Sequence, residues 1–390
     1  MNNFVHDIPT RVLFGKGQIE NLNDVLSVYG KKVLLVYGGG SIKKIGLYDK
    51  VMEILNGNDY TVVDCGGVEP NPRIETVAKG AELCKENDIE VVLAVGGGST
   101  IDCAKAICVG AFFEGEDYWD MVINPVRNAK ALPLVDILTL SATGSEFDNG
   151  GVISNLKTND KKGVGFTFPS VSICDPEYTF SVNAYQTSAG SADIMSHVLE
   201  GYFSRKESDI SDGIAEAILK TVINNLPKAL ENPEDYDARA NLMWASSLAC
   251  SGMPEYGKEF TGWSCHAMEH QLSAYYDITH GVGLAILTPR WMRYILEKDP
   301  TTLPHFIKFA KNVWGLDGEG EELAHRGIDA LERFFIDNGI PMTLDEVGIN
   351  EEKFEEMAIK SNTNDRLTNA YVPLDKEDVL NIFRMCLKSE

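Results

Sequence analysis

From its start to about residue 182 the chain alternates short apolar runs with stretches of helical periodicity, and this alternation limits the fold more than any other feature. KKVLLVY (31–37), YTVVDC (60–65), EVVLAV (90–95) and LPLVDILTL (132–140) read as strands. Residues 47–56, IETVAKGAELCKEN (74–87) and TIDCAKAICVGAFF (100–113) read as the helices between them. Such a pattern suits a parallel sheet covered on both faces, whose strands are buried from both sides. After Asp175-Pro176 the strand signal stops, and helical patterns follow at 208–226, 236–252, 262–274, 303–314, 322–339 and 374–388. A chain of 390 residues exceeds one simple core. The reading is therefore α/β followed by all-α, with residues 1–182 a Rossmann-like dinucleotide-binding domain and residues 183–390 an all-helical domain. No Pro- or Ser-rich linker separates the halves, so close packing with a cleft between them is expected.

Charge and cysteine usage narrow the function classes. With 58 acidic against 35 basic residues, the formal net charge is −23. A surface that acidic repels phosphate backbones and anionic lipid, so neither nucleic acid nor membrane is an expected partner. No apolar run approaches the ~18 residues that span a bilayer. The opening MNNFVHDIPTRVLFGKG has no basic start followed by an apolar core, and the eight cysteines contain no CxxC pair. Reduced, mostly buried thiols in a cytoplasmic protein are expected.

Two strand–glycine–helix junctions stand out: Gly38-Gly39-Gly40-Ser41 and Gly96-Gly97-Gly98-Ser99. Glycine lets a backbone approach a ligand closely, and a helix N-terminus offers unpaired N–H groups to phosphate. Neither loop has the G-x-G-x-x-G spacing, since Lys43 and Ile101 occupy the last position. One such loop is as easily a plain tight turn. Two, at corresponding sheet positions, favour a dinucleotide.

Four of the seven histidines fall between 197 and 280. Asp193 and His197 are four residues apart on a helical segment and share a face, as do His266 and His270. His280 precedes what reads as a glycine turn, Gly281-Val282-Gly283. A lone helical histidine is usually a satisfied core or surface residue, which is the reading kept for His6, His305 and His325. One carboxylate and several imidazoles in a helical domain suit Fe(II) or Zn(II) and are too nitrogen-rich for Mg or Ca. The helical half is thus read as metal-binding and catalytic.

At these residues the chain resembles the iron-containing (group III) alcohol dehydrogenases, and among them the NADPH-dependent butanol dehydrogenases and related aldehyde reductases. The resemblance runs through YGGGSIKK (37–44), EPNP (69–72), VGGGSTIDCAK (95–105), TLSATGSE (139–146), GSADIMSHVLEGYF (190–203), WSCHAMEH (263–270) and AYYDITHGVGLAILTP (274–289). It implies a dehydroquinate synthase-like fold and a homodimer. It implies Asp193, His197, His266 and His280 as ligands of Fe2+ or Zn2+, and His270 as a further histidine beside the nicotinamide. Gly97, Gly98, Ser99 and Asp102 match the loop that holds the pyrophosphate and its helix, while Thr139, Lys161 and Tyr178 match positions lining the cofactor. In the family the dinucleotide is chosen at the end of the first strand, where NAD-preferring members carry Asp. Here Gly38, Gly39, Gly40 and Ser41 offer no carboxylate and Lys43 and Lys44 follow, so NADP(H) is expected. An ordinary Rossmann site would instead use Asp64, and NAD.

The expected activity is hydride transfer between NADP(H) and a small primary alcohol/aldehyde pair such as butanol and butanal. The alternatives are a glycerol-dehydrogenase-like polyol oxidoreductase, whose family resembles a three-ligand site, and a metal- or nucleotide-binding protein without turnover.

Overall fold

The computed structural model describes residues 1–362 and 365–388. Six parallel strands form one sheet: β1 (Arg11–Phe14), β2 (Lys32–Tyr37), β3 (Thr61–Gly66), β4 (Val91–Gly96), β5 (Leu134–Leu138) and β8 (Val171–Cys174), in the order β1-β8-β5-β4-β2-β3. A separate antiparallel hairpin pairs β6 (Gly150–Asn155) with β7 (Asp160–Gly165). The helices of this half are α1 (Leu22–Ser27), α2 (Ser41–Lys44), α3 (Leu47–Gly57), α4 (Ile74–Glu86), α5 (Gly98–Gly110) and α6 (Asp120–Ile123). Alternate residues of the central strands feed opposite cores. Leu34, Val36, Val92 and Ala94 pack with Val77, Ala81, Ile101 and Ala104 of α4 and α5. Val33, Leu35, Val91 and Leu93 pack with Leu22, Val51 and Leu55 of α1 and α3. The sequence reading found β2, β3, β4 and β5 but missed the others. β1 and β8 are only four residues long, and β6 and β7 are interrupted by Gly150, Gly151, Gly163 and Gly165.

The strand order places a switch point between β2 and β4. From β2 the chain proceeds to β3 on one side, and from β4 to β5 on the other. Ligands of open parallel sheets bind outside the strand carboxyl ends at such a point. Both Gly-Gly-Gly-Ser loops leave the sheet there.

The second half is helical: α7 (Ala184–Tyr202), α8 (Asp209–Glu231), α9 (Tyr236–Ala249), α10 (Ser264–Tyr276), α11 (His280–Lys298), α12 (Leu303–Asn312), α13 (Gly320–Asp337), α14 (Phe354–Ser361) and α15 (Lys376–Met385). The Asn183 side chain caps α7 by accepting from the Gln186 N–H at 2.8 Å. The expected glycine turn after His280 does not exist, because His280 is the first residue of α11. The glycines serve helix packing instead. A Cβ on Gly281 would lie 1.9 Å from the Ala189 carbonyl oxygen of α7, so only glycine lets these two helices approach.

By internal contacts the chain forms two compact units. One comprises His6–Val182 with Pro233–Ser247; the other comprises Met1–Val5, Asn183–Asn232 and Leu248–Glu390. Two short segments thus pack outside the halves the sequence reading gave them. Trp244 packs edge-on against Phe14 and tilted against Phe147, and the Ser247 hydroxyl donates to Glu146 Oε1 at 2.6 Å. Phe4 stacks on Tyr256, and the Asn2 N–H donates to the Gly257 carbonyl. Seven of the eight cysteines are buried, Cys250 is half-buried, and none is in a disulfide. No helix among the described residues is long and apolar enough to cross a membrane.

Glu146 is wholly buried, and burial pushes its carboxyl up to about 7 from the usual 4.5. The folded protein therefore holds this proton more tightly than the unfolded chain. Its contribution to stability is full below 4.5 and is lost as pH rises through 7. Glu146→Gln keeps a neutral group at every pH and should reduce the stability lost between pH ~5.5 and ~8 by on the order of 1–3 kcal/mol. Denaturant midpoints at both pH values measure this; parallel pH profiles for variant and wild type would contradict it.

Candidate active site

The helical unit gathers the aspartate–histidine set around one carboxylate oxygen. Asp193 Oδ1 lies 3.6 Å from His197 Nε2, 3.8 Å from His266 Nε2 and 3.7 Å from His280 Nε2. Three elements supply these atoms. α7 carries Asp193 and His197 one turn apart, α10 carries His266, and α11 presents His280 at its first position. The turn joining α10 to α11 uses Asp277 in the left-handed region, φ +52°. Four donors on a metal with ~2.1 Å bonds stand about 3.4 Å apart along a tetrahedral edge. The observed spacings are close to that and too long for hydrogen bonds. Asp193 Oδ1 and His266 Nε2 are both buried with no hydrogen-bond partner in the protein, which is costly unless something else satisfies them. These residues fit a divalent metal.

Asp193, His266 and His280 place their ligand atoms within 4.8 Å of one another, and His197 Nε2 lies 3.6 Å from the same Asp193 oxygen. Glu269, His270 and His280 form a second group within the same limit. The first is the better metal site. Glu269 Oε2 is already bonded to His280 Nδ1, which leaves His280 Nε2 directed at Asp193. Glu200 does the same for His266, taking its Nδ1 at 3.2 Å and its backbone N–H at 2.9 Å. A carboxylate behind an imidazole fixes its tautomer and strengthens it as a ligand.

Electrostatics follow from this packing. Burial by itself would raise Asp193, but His197, His280 and His266 together hold it well below the usual carboxylate range. Burial would lower His266, and the Glu200 and Asp193 carboxylates overcome it, raising the imidazole to about 9. His270 lies one turn beyond His266, 7% exposed, with its ring 5.7 Å from that of His280.

The predicted dinucleotide residues lie in the α/β unit. Gly38, Gly39 and Gly40 follow β2, and Ser41 opens α2. Gly97 caps α5, with Gly98 and Ser99 in its first turn. A Cβ on Gly98 would meet Thr143 Oγ1 at 2.1 Å, so the loop after β5 can close on the α5 N-terminus only over glycine. Thr139 follows β5 and is 9% exposed. Asp102 turns inward: it accepts from the Ser145 hydroxyl at 2.5 Å and the Val152 N–H at 2.9 Å, tying α5 to the β5 loop and β6. Alternation along β7 separates the two neighbouring lysines, leaving Lys161 buried and Lys162 half-buried. Tyr178 packs partly buried against the sheet core.

Sequence reasoning passed over Glu200 and Glu269. Their signal was present, since Glu200 stands three residues after His197 and seven after Asp193, hence on the same helical face, and Glu269 lies between two flagged histidines. It also passed over Lys105, wholly buried, whose ammonium bonds Asp148 Oδ1 at 2.8 Å and the Gly150 carbonyl at 2.7 Å.

Residues 9–176 match the iron-containing alcohol dehydrogenase family, and residues 187–387 match the C-terminal domain of the Fe-containing alcohol dehydrogenase family. The chain belongs to the iron-containing alcohol dehydrogenases. It is 53% identical over 390 residues to NADH-dependent butanol dehydrogenase A of Clostridium acetobutylicum, covering 98% of this chain and 99% of that one. It is 38% identical to the NADPH-dependent aldehyde reductase YqhD of Escherichia coli, over 90% of each. The crystal structure of NADH-dependent butanol dehydrogenase A from Thermotoga maritima superposes with a TM-score of 0.94 at 41% identity, covering 100% of this chain and 99% of that chain. The family fold is the one observed, a parallel sheet unit and a helical unit. This iron-containing alcohol dehydrogenase acts as an alcohol dehydrogenase or aldehyde reductase.

Proposed function

We propose that the enzyme transfers hydride between NADP(H) and small primary alcohol/aldehyde pairs such as butanol and butanal, with Fe2+ or Zn2+ held by Asp193, His197, His266 and His280. Three imidazole Nε2 atoms within 3.6–3.8 Å of one buried carboxylate oxygen carry this reading. A divalent metal there would supply Lewis acidity toward the substrate oxygen. Glu200 and Glu269 hold two of the imidazoles in register through their Nδ1 atoms. His270 takes up and returns the alcohol proton. The likeness to butanol dehydrogenase A and to the aldehyde reductase supports the substrate class. A homodimeric, cytoplasmic protein is proposed with it. The test is consumption of NADPH with butanal by enzyme whose metal content is measured. A metal-loaded protein that reduces no aldehyde and oxidises no alcohol would overturn the proposal.

The dinucleotide is the finer question, because the relatives' names divide between NADH and NADPH. The Asp64 carboxylate, the residue that would favour NAD, accepts from Tyr37 Oη at 3.0 Å and Tyr48 Oη at 3.4 Å. Lys43 donates to the same Tyr37 hydroxyl at 3.0 Å and lies over the Tyr48 ring. That carboxylate is engaged by two hydroxyls, with the Lys43 ammonium on the far side of one of them. The loop itself offers backbone N–H groups and the Ser41 hydroxyl, and no acid, to a 2′-phosphate. NADP(H) is the form this supports. At Gly39 a Cβ would have nothing within 4 Å. Gly39→Asp should therefore fold, and should raise the KM for NADPH on the order of 10- to 100-fold through charge repulsion while improving NADH. A wild-type kcat/KM with NADH equal to or above that with NADPH would overturn the choice.

A further inference from the structure

Trp263 stands immediately before α10, three residues ahead of His266, with φ +50° and ψ 59°. A bulky side chain in the left-handed region is an outlier that persists only where surrounding structure enforces it. Here it is enforced. Gly262 before it has φ +83°, and a Cβ there would lie 2.6 Å from the Arg366 carbonyl oxygen and 2.8 Å from the Ala370 Cα. The Tyr371 N–H donates to the Thr261 carbonyl at 3.1 Å, pinning the same stretch. The indole is tethered as well, its Nε1–H donating to Glu255 Oε1 at 3.0 Å.

The backbone so constrained sets the indole against two of the proposed ligands. Its ring lies 4.9 Å from that of His266 and 5.5 Å from that of His197, at tilts near 50°. Those two imidazoles stack on each other at 4.6 Å. Trp263 thus sets one non-histidine ring against both of them. Ser264–Ala274, which follow it in α10, are all buried, whereas Trp263 keeps part of its surface open. Glu200 and Glu269, which bond two of the imidazoles, and His270 beside them are polar. An apolar, rigid and partly open surface beside a polar cage is what the carbon chain of a substrate held by its oxygen would meet.

We infer that the Trp263 indole is the wall on which the aliphatic chain of the alcohol or aldehyde packs, and that it sets the preference for chain length. This rests on the alcohol dehydrogenase activity and metal site proposed above. Each methylene covered by the indole leaves water, which favours the longer substrate by roughly fourfold. The left-handed backbone fixes the ring's height over the ligand pair, so the pocket selects by length rather than adapting to it.

The experiment compares kcat/KM for straight-chain aldehydes from ethanal to hexanal in wild type, Trp263→Ala and Trp263→Phe, each with its metal content measured. Trp263→Ala should lower the hexanal-to-ethanal ratio of kcat/KM by about tenfold or more, chiefly through KM. Trp263→Phe, which restores an apolar ring without the N–H, should recover most of the ratio. Dissociation constants of the matching alcohols, from calorimetry on the metal-loaded proteins, should lose their dependence on chain length in the alanine variant alone. If Trp263→Ala loses activity or metal equally for every substrate with the ratio unchanged, the indole only packs the ligands and the inference fails. If the alanine variant does not fold, Trp263→Gln takes its place: a hexanal-to-ethanal ratio that falls there and is retained in Trp263→Phe would support the wall. A ratio unchanged in both variants would overturn it. A wild-type enzyme that reduces no aldehyde would overturn the underlying activity instead, and this inference with it.

Discussion

His266→Ala is expected to abolish metal binding and turnover together, with activity falling about 10³-fold or more. The reasoning is local. His266 contributes one of three Nε2 atoms around Asp193 Oδ1, and its own Nε2 is buried without a protein partner. Removing it leaves a smaller donor set and leaves the Glu200 Oε2 side of that carboxylate without its imidazole, although the residue 266 N–H still reaches Glu200 Oε1. Loss of an outer-shell partner alone costs 10- to 100-fold in metal affinity or activity, so loss of the ligand itself should cost more. The α/β unit has its own cores on both faces of its sheet, with no side chain from 266, and should keep its fold and its dinucleotide affinity. Metal analysis, turnover with butanal and dinucleotide titration separate these effects. Stoichiometric metal at wild-type rate in the variant would show the ligand assignment to be wrong.

The site was legible where chemistry imposed a helical period, and illegible where packing decided. Asp193 and His197 stand four residues apart, as do His266 and His270, because side chains that meet at one place on a helix face sit about a turn apart. That spacing survives in the sequence whatever surrounds it. His280 was found as a residue and misplaced as structure. Gly281 and Gly283 look like a turn, yet the Ala189 carbonyl pressing on Gly281 shows them to be helix-packing glycines, a tertiary cause with no local signature. The central strands were readable because burial on both faces makes them continuously apolar. β8 is equally buried, but four residues of VSIC are too short to distinguish from a loop. Asp102 was matched to the cofactor loop by motif alone. Both its oxygens are taken by Ser145 and Val152, so its contribution to that loop is to hold it in place. Trp263 stood in a matched motif without a role of its own, since the left-handed turn that places its ring is enforced by Arg366 and Ala370, about a hundred positions away.

His270→Ala should separate metal binding from proton transfer. His270 follows His266 by one turn of α10, and its ring lies 6.3 Å from that of His266 and 5.7 Å from that of His280. It therefore adjoins the donor cage without contributing to the three short approaches to Asp193 Oδ1. An imidazole so placed can exchange a proton with the substrate oxygen while the metal stays where it is, and general acid–base groups typically contribute 10²- to 10⁴-fold. The variant should bind metal at wild-type stoichiometry and lose about 10²-fold or more in kcat, with a smaller change in KM. Its pH–rate profile should lose the limb that wild type owes to this imidazole, and added small imidazoles or amines of matching basicity should restore part of the rate. The alternative is that His270 acts as a ligand with Glu269 and His280, the second cluster of donors. In that case metal content would fall in step with activity and no added base would rescue it. An unchanged rate and an unchanged pH profile would instead return His270 to the packing of α10 and transfer the proton to another group.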